Sequence, residues 1–144
     1  MHENYPDCMR ALALVLLLFL GGGGLYGGIL MLGDASGGSL GLTMELLPDW
    51  YSSDYRWPGL LLVSAFGIVP LVTAGLVVAR HRWAWALVAA VGTVVLAWMI
   101  AQVPMIGLSR PPVQIMITLI GALLVAVGGW GRVREAHRAS RAPA

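Results

Sequence analysis

The stretch ALALVLLLFLGGGGLYGGILML, residues 11–32, decides the fold. It contains no ionised side chain over its whole length. A helix needs about 20 predominantly apolar residues to cross the hydrocarbon core of a bilayer. Residues 11–32 therefore predict a transmembrane helix.

Three further uncharged segments extend this prediction to the whole chain, at residues 58–79, 83–103 and 113–130. The chain is 58% hydrophobic and only 11% charged, whereas a soluble domain carries about 25% charged residues. We predict an all-α polytopic membrane protein, a single four-transmembrane-helix bundle over residues 1–144. Residues 33–57 would form an extracytoplasmic loop and residues 131–144 a basic cytoplasmic tail.

The first span does not have the features of a cleaved signal peptide. Its preceding segment, MHENYPDCMR, carries Glu3 and Asp7 against one arginine. No small-residue cleavage site of the A-x-A kind follows the apolar run. We therefore expect this span to be retained as the first helix.

The arginines predict the orientation in the membrane. All nine basic residues are arginine, a bias that suggests a bacterium with a GC-rich genome. The positive-inside rule places arginine-bearing connections on the cytoplasmic side. Both termini and the RHR turn at 80–82 are then cytoplasmic, in a bacterial inner membrane. Seven arginines lie on that side, Arg10, Arg80, Arg82, Arg132, Arg134, Arg138 and Arg141, and two on the other, Arg56 and Arg110.

Small residues four apart are candidates for helix packing, because lipid supplies no hydrophobic drive for helices to associate. The first span contains two such pairs, Gly23 with Gly27 and Gly24 with Gly28. Pro70 lies midway along the second span and frees the carbonyl of Phe66, so we expect a kink there. We interpret this feature of the second span as a fixed change in helix shape, and a moving hinge is the alternative.

The spans lack the groups that most membrane chemistry requires. No ionisable residue with the character of a proton relay lies inside them, and the three histidines lie outside. The single cysteine, Cys8, excludes an internal disulfide and a CxxC pair. The basic residues form no broad face for nucleic acid. We predict no catalytic residue, no metal site and no cofactor, and the chain is more typical of a non-enzyme.

Candidates for ligand binding lie in the predicted outer half. One interpretation is an outward-opening apolar pocket that is lined by methionines and uses two amides to orient a ligand. Thioethers also bind copper(I), but no histidine lies on that side to complete a mixed site. The simpler interpretation is that methionine fills packing gaps and glutamine lies at the membrane boundary. The candidates are Tyr26, Gln102, Gln114, Trp50 and Asp54, and the outer methionines are Met31, Met44, Met99, Met105 and Met116.

The segment ELLPDWYSSDYRWPG, residues 45–59, joins the first two spans. Its tryptophans and tyrosines are typical of a membrane–water boundary, so we interpret it as a surface anchor that also covers the outer mouth. Asp54 and Arg56 can pair there. The alternative is a divalent-metal or catalytic set of carboxylates formed by Glu45, Asp49 and Asp54. Carboxylates in that role need environments that separate their pKa values, and a solvated loop provides none.

The chain resembles a loose group of uncharacterised small bacterial membrane proteins with four helices. The resemblance rests on the Gly-rich first span, on D-x-S-G-x-x-L-G-L at 34–42, on D-aromatic-x-x-P-G at 54–59 and on RHRWAW at 80–85. Members of that group often have proline where this chain has Ala35. The resemblance implies the four-helix architecture and no catalytic residue.

Three functions follow from these features. The first is a structural or accessory protein that packs against a membrane-protein partner or itself. The second is an oligomeric transporter or channel for a neutral or lipophilic solute. The third is a lipid-ligand sensor or enzyme that uses the outer acids. The basic tail would favour anionic lipid headgroups by about 1 kcal/mol per arginine, or it would dock on a partner protein.

Overall fold

The computed structural model describes residues 5–47, 49, 54–106 and 111–140, and all regular structure in them is helical. Four long helices follow one another: α1 (Tyr5–Gly33), α2 (Arg56–Val78), α3 (Ala84–Ile106) and α4 (Pro111–Ala139). All four are long and apolar enough to cross a membrane. The prediction of an all-α four-helix membrane bundle is confirmed.

The helices form two tightly packed hairpins, α1 with α2 and α3 with α4, which also contact each other through α2 with α3 and α1 with α4. The middle of the bundle is filled by side chains from every helix. Those with almost no exposed surface include Leu17, Val77, Val88, Val95 and Leu124. Close packing of this kind is what holds helices together where lipid surrounds them.

Helix α2 is irregular in the turns that precede Pro70. It begins as an α-helix at Arg56–Leu61, continues as a π-helix at Leu62–Ile68 and returns to α-helix at Val69–Val78. Proline has no N–H to donate and its ring clashes with the carbonyl four residues earlier, and the wider π-turn accommodates it. Phe66, within this stretch, packs on Trp98 of α3 with ring centroids 6.0 Å apart.

Helix α4 extends well past the predicted end of its span at residue 130. It continues to Ala139, so the basic segment predicted as a tail is helical as far as that residue. Arginine, glutamate and alanine are good helix formers, which accounts for the extension. Arg141 lies outside the described residues.

Glycines set how closely each hairpin packs. A Cβ on Gly24 would lie 2.3 Å from the backbone carbonyl carbon and oxygen of Phe66, and one on Gly28 would lie 2.8 Å from the carbonyl oxygen of Gly59. In the other hairpin, a Cβ on Gly128 would lie 2.4 Å from the backbone nitrogen of Ala89. Each contact is possible only because glycine lacks a side chain.

Candidate functional site

The first candidate site is the loop after α1, which folds around the carboxylate of Asp34. One carboxylate oxygen accepts hydrogen bonds from the Ser36 hydroxyl at 2.6 Å and the Ser36 amide at 3.1 Å. The other accepts from the Ser39 amide at 2.8 Å and the Ser39 hydroxyl at 3.0 Å. These bonds, the Ser36 hydroxyl first, lower the pKa of Asp34 from 3.8 to about 2. The group works as a structural anion that closes this turn, as an aspartate does when it bonds the backbone that follows it.

Tyr55 closes the same loop from the other side. Its amide donates to the carbonyl of Ala35 at 3.0 Å, and its hydroxyl donates to the carbonyl of Thr43 at 2.8 Å. Its ring lies against Gly37, whose φ of 79° and lack of a side chain permit the contact. Burial raises the pKa of the Tyr55 hydroxyl, which keeps it a proton donor. We call this end, with residues 34–55, the loop end.

The predicted carboxylate set is spread out in the loop. Asp54 accepts a hydrogen bond from the Arg56 amide at 3.0 Å and pairs with its guanidinium at 3.4 Å. Glu45 and Asp49 are exposed, and no three acids, histidines or cysteines of the described residues cluster as metal ligands would. Trp57 is 66% exposed, as an anchoring ring would be. Trp50 and Tyr51 lie outside the described residues.

The structure brings together only some of the predicted ligand residues of the outer half: Gln102 and Gln114 lie at one level, and Tyr26 lies on another helix. Tyr26 is 68% exposed on the outward face of α1. Gln102 and Gln114 lie across the α3–α4 contact: the register that puts Ala89 on Gly128 and Val95 on Gly121 brings these two positions to one level. The side-chain oxygen of Gln102 is buried and has no hydrogen-bond partner among the described residues.

The outer methionines do not share one surface. Met99 is buried in the bundle, while Met44 and Met116 are exposed and Met31 is half-buried beside Gly59. The side chain of Met105 lies outside the described residues. The described methionines therefore fill separate positions, in the way a flexible thioether fills gaps.

The second candidate site lies at the opposite end of the bundle, which we call the basic end. The first turns of α1, the α2–α3 turn and the last turns of α4 meet there around a small cavity. Its lining includes Arg10, Arg80, His81, Trp85 and Glu135. Two further arginines lie over tryptophan rings at this end, Arg82 over Trp83 at 5.3 Å and Arg134 over Trp130 at 5.5 Å. Such stacking orients the guanidinium groups of both arginines at this end.

The α2–α3 turn holds Arg80 in a left-handed conformation, with φ 54°. The amide of His81 donates to the carbonyl of Leu76 at 3.0 Å, and the amide of Arg80 donates to that of Val77 at 3.2 Å. This pair of bonds is the Schellman motif, which usually has glycine where Arg80 stands. An arginine there costs about 1–2 kcal/mol of backbone strain, which is most often tolerated where the residue has a role.

Sequence comparison adds nothing to these two sites: no protein-family model, curated protein or solved structure matches the chain.

Sequence reasoning missed the residues that build the basic-end cavity. Glu135 was one acid in a basic segment, and Arg80 one residue of a short turn. These residues could be found by counting along the helices, because a known helix register brings Arg10, His81 and Glu135 to one level. That register follows from glycine contacts, which no residue pattern specifies in advance.

Proposed function

We propose that this protein is an accessory component of a bacterial cytoplasmic membrane that packs against a transmembrane helix of another membrane protein. The proposal rests on a notch of exposed glycine on α1, flanked by aromatic side chains. The filled middle of the bundle supports a packing role over a conduit through a single chain.

The six glycines of α1 between residues 21 and 28 divide between two sides of the helix. Gly21, Gly24 and Gly28 contact α2, and a Cβ on any of them would lie within 3.0 Å of an α2 atom. At 100° per residue, Gly22 and Gly23 point to the opposite side, where a Cβ would meet no atom within 4 Å. The notch is thus unused by the intramolecular packing.

Two aromatic rings frame this notch. Phe19, 55% exposed, lies one turn before Gly23, and Tyr26, 68% exposed, lies one turn after Gly22. Glycine in a helix interior costs roughly 0.5–1 kcal/mol relative to alanine, and close approach of another helix is what recovers that cost in a membrane. Rings on both sides add contact area for the approaching helix. A partner helix crossing α1 at Gly22 and Gly23 fits this surface.

Crosslinking in native membranes tests this proposal. A photoreactive amino acid at Phe19 should give one defined protein adduct, and Gly23→Leu should abolish that adduct by filling the notch. Gly75→Leu is the matched control, since Gly75 on α2 is also exposed with open space around it. Equal loss with both leucine variants, or adducts with lipid alone, would refute the partner helix; an adduct with a second copy would replace it by self-association.

We further propose that the basic end faces the cytoplasm, because Arg10, Arg80, Arg82, Arg132, Arg134 and Arg138 all lie there. The single cysteine, Cys8, is exposed near this end. A membrane-impermeant maleimide should label it only after permeabilisation. In a Cys8→Ser background, Ser39→Cys at the loop end should be labelled in intact cells, and the reverse pattern would invert the orientation.

A further inference from the structure

The basic-end cavity brings charged side chains of separate helices to one level along the bundle. In the α3–α4 hairpin, Trp85 lies on Gly131 and Ala89 on Gly128, so the same register places Glu135 opposite His81. In the α1–α2 hairpin, Gly24 lies on Phe66 and Gly28 on Val63, which places Arg10 at the level of the α2–α3 turn. Cavity lining by Arg10, His81 and Glu135 agrees with both registers.

Of the described residues, the charged ones that line this cavity form no ion pair with one another. Arg10, Arg80 and Glu135 all line it, yet the described residues contain no ion pair between Glu135 and either arginine. Arg80 is held at the cavity by a strained backbone. Two cations and one anion on a shared opening can therefore bind a ligand that carries both signs of charge.

His81 adds a donor of defined tautomer to the same opening. Its Nδ1 accepts a hydrogen bond from the Trp83 amide at 3.3 Å. In the neutral ring the proton then lies on Nε2, which becomes a donor suited to an anionic oxygen. The cavity has a volume of about 10 Å³, room for about one water-sized group. A larger ligand therefore lies at the mouth and inserts one polar atom.

The tryptophan and arginine side chains around the opening favour a lipid as the ligand. The opening lies beside the turn whose Trp83 ring stacks with Arg82, and α4 presents Trp130 with Arg134 at the same end. Tryptophan and arginine of this kind mark the headgroup region of a bilayer. A headgroup is thus the ligand that reaches this opening at the highest local concentration.

We propose that the basic-end cavity binds the headgroup of a phospholipid that carries a primary ammonium, of the phosphatidylethanolamine class. Arg10, Arg80 and the Nε2 of His81 hold the phosphate, as arginine does in charge-assisted hydrogen bonds. The carboxylate of Glu135 accepts hydrogen bonds from the ammonium. The same carboxylate repels headgroups that have a phosphate but no amine, so Glu135 supplies selectivity. This inference is independent of the partner helix proposed above.

Native mass spectrometry of the protein released from nanodiscs tests the site. The nanodiscs contain equal amounts of phosphatidylethanolamine, phosphatidylglycerol and phosphatidylcholine. We expect phosphatidylethanolamine to be retained about fivefold over either competitor, the size of one partly exposed ion pair. Phosphatidylcholine should bind less well because its trimethylammonium has no N–H to donate.

Variants separate the two halves of the site. Glu135→Gln should remove the preference over phosphatidylglycerol while phosphate binding persists, and Arg80→Gln should reduce retention of all three lipids. Arg138→Gln, an exposed arginine off the cavity, is the matched control and should change nothing. Circular dichroism and thermal unfolding of each variant confirm that the bundle is folded.

Four outcomes would overturn the proposal. They are equal retention of the three lipids, a preference for phosphatidylglycerol, an unchanged preference in Glu135→Gln, and an equal loss in Arg138→Gln. Soluble glycerophosphoethanolamine provides a further arm: if millimolar amounts displace the retained lipid, the site takes a soluble phosphoethanolamine compound and the lipid assignment fails.

Discussion

Alanine at position 24 should separate α1 from α2, whereas alanine at position 23 should not. A Cβ at Gly24 would lie 2.3 Å from the Phe66 carbonyl carbon and oxygen and 2.7 Å from the Gly67 nitrogen. Ordinary contact begins at 3.4 Å, so the helices must move apart by about 1 Å, since backbone atoms cannot rotate away. A gap of that size removes a quarter to a half of the dispersion energy of each contact.

The expected cost of Gly24→Ala is about 2–3 kcal/mol, in the range of overpacked cores. Gly23→Ala makes no new contact and should leave stability unchanged or raise it by up to about 1 kcal/mol through helix propensity. The two variants have the same composition and differ by one position, so their difference of about 3 kcal/mol reports packing alone. Unfolding in mixed micelles by SDS titration, followed by circular dichroism, measures it. Stabilities within about 0.5 kcal/mol of each other would refute the α1–α2 contact.

Substitutions at three further positions test the turns at the two ends. Arg80→Gly and Arg80→Ala both remove the charge, but only glycine relieves the φ of 54°; the glycine variant should be the more stable by about 1 kcal/mol in the same titration, and a more stable alanine variant would contradict the left-handed turn. The pKa of Asp34 is lowered to about 2, so its contribution to stability is complete above pH 4 and is lost as the pH falls from about 4 to 2. Thermal unfolding at pH 5 and pH 2.5 should show a smaller loss for Asp34→Asn than for the wild type, and equal losses would exclude Asp34 as the anion of the turn. Tyr55→Phe removes the donor to the Thr43 carbonyl at 2.8 Å and should cost about 0.5–1.5 kcal/mol, with faster amide hydrogen exchange in residues 34–47; unchanged exchange would show that the hydroxyl does not hold the loop.

The number and type of the helices were predictable because a segment must contain enough apolar residues to cross the full thickness of the bilayer. Each uncharged run of about 20 residues had one available structure, since in lipid every backbone polar group must be bonded within the segment. The turn at Asp34 was predictable for a related reason, because an aspartate followed by serine and glycine bonds its own backbone. The closure of that turn by Tyr55 was not, since it depends on a contact with Gly37 from the far side of the loop.

The packing glycines show where prediction from a pattern stops. Spacing by four treats Gly23 with Gly27 and Gly24 with Gly28 as equivalent, yet a Cβ on Gly23 would meet no atom within 4 Å whereas one on Gly24 would collide with Phe66. The α3–α4 contact instead uses Gly92, Gly121 and Gly128, which have no such spacing. A small residue permits close approach but does not attract it, so the face that packs is chosen by the large side chains around it.

The irregular turn in α2 explains why the approach at Gly24 is so close. Pro70 supplies no N–H, so the turn before it has one main-chain donor fewer than a regular helix, and a missing donor is expensive in lipid. The direction in which a Cβ would leave Gly24 points at the Phe66 carbonyl, and in glycine a hydrogen occupies that direction. A Cα–H···O contact of this kind is weak but favourable. Pro70, the π-helix and Gly24 therefore act together. Helix α2 lacks one N–H donor at Pro70, and Gly24 of α1 lies close enough for its Cα–H to serve as a weak substitute.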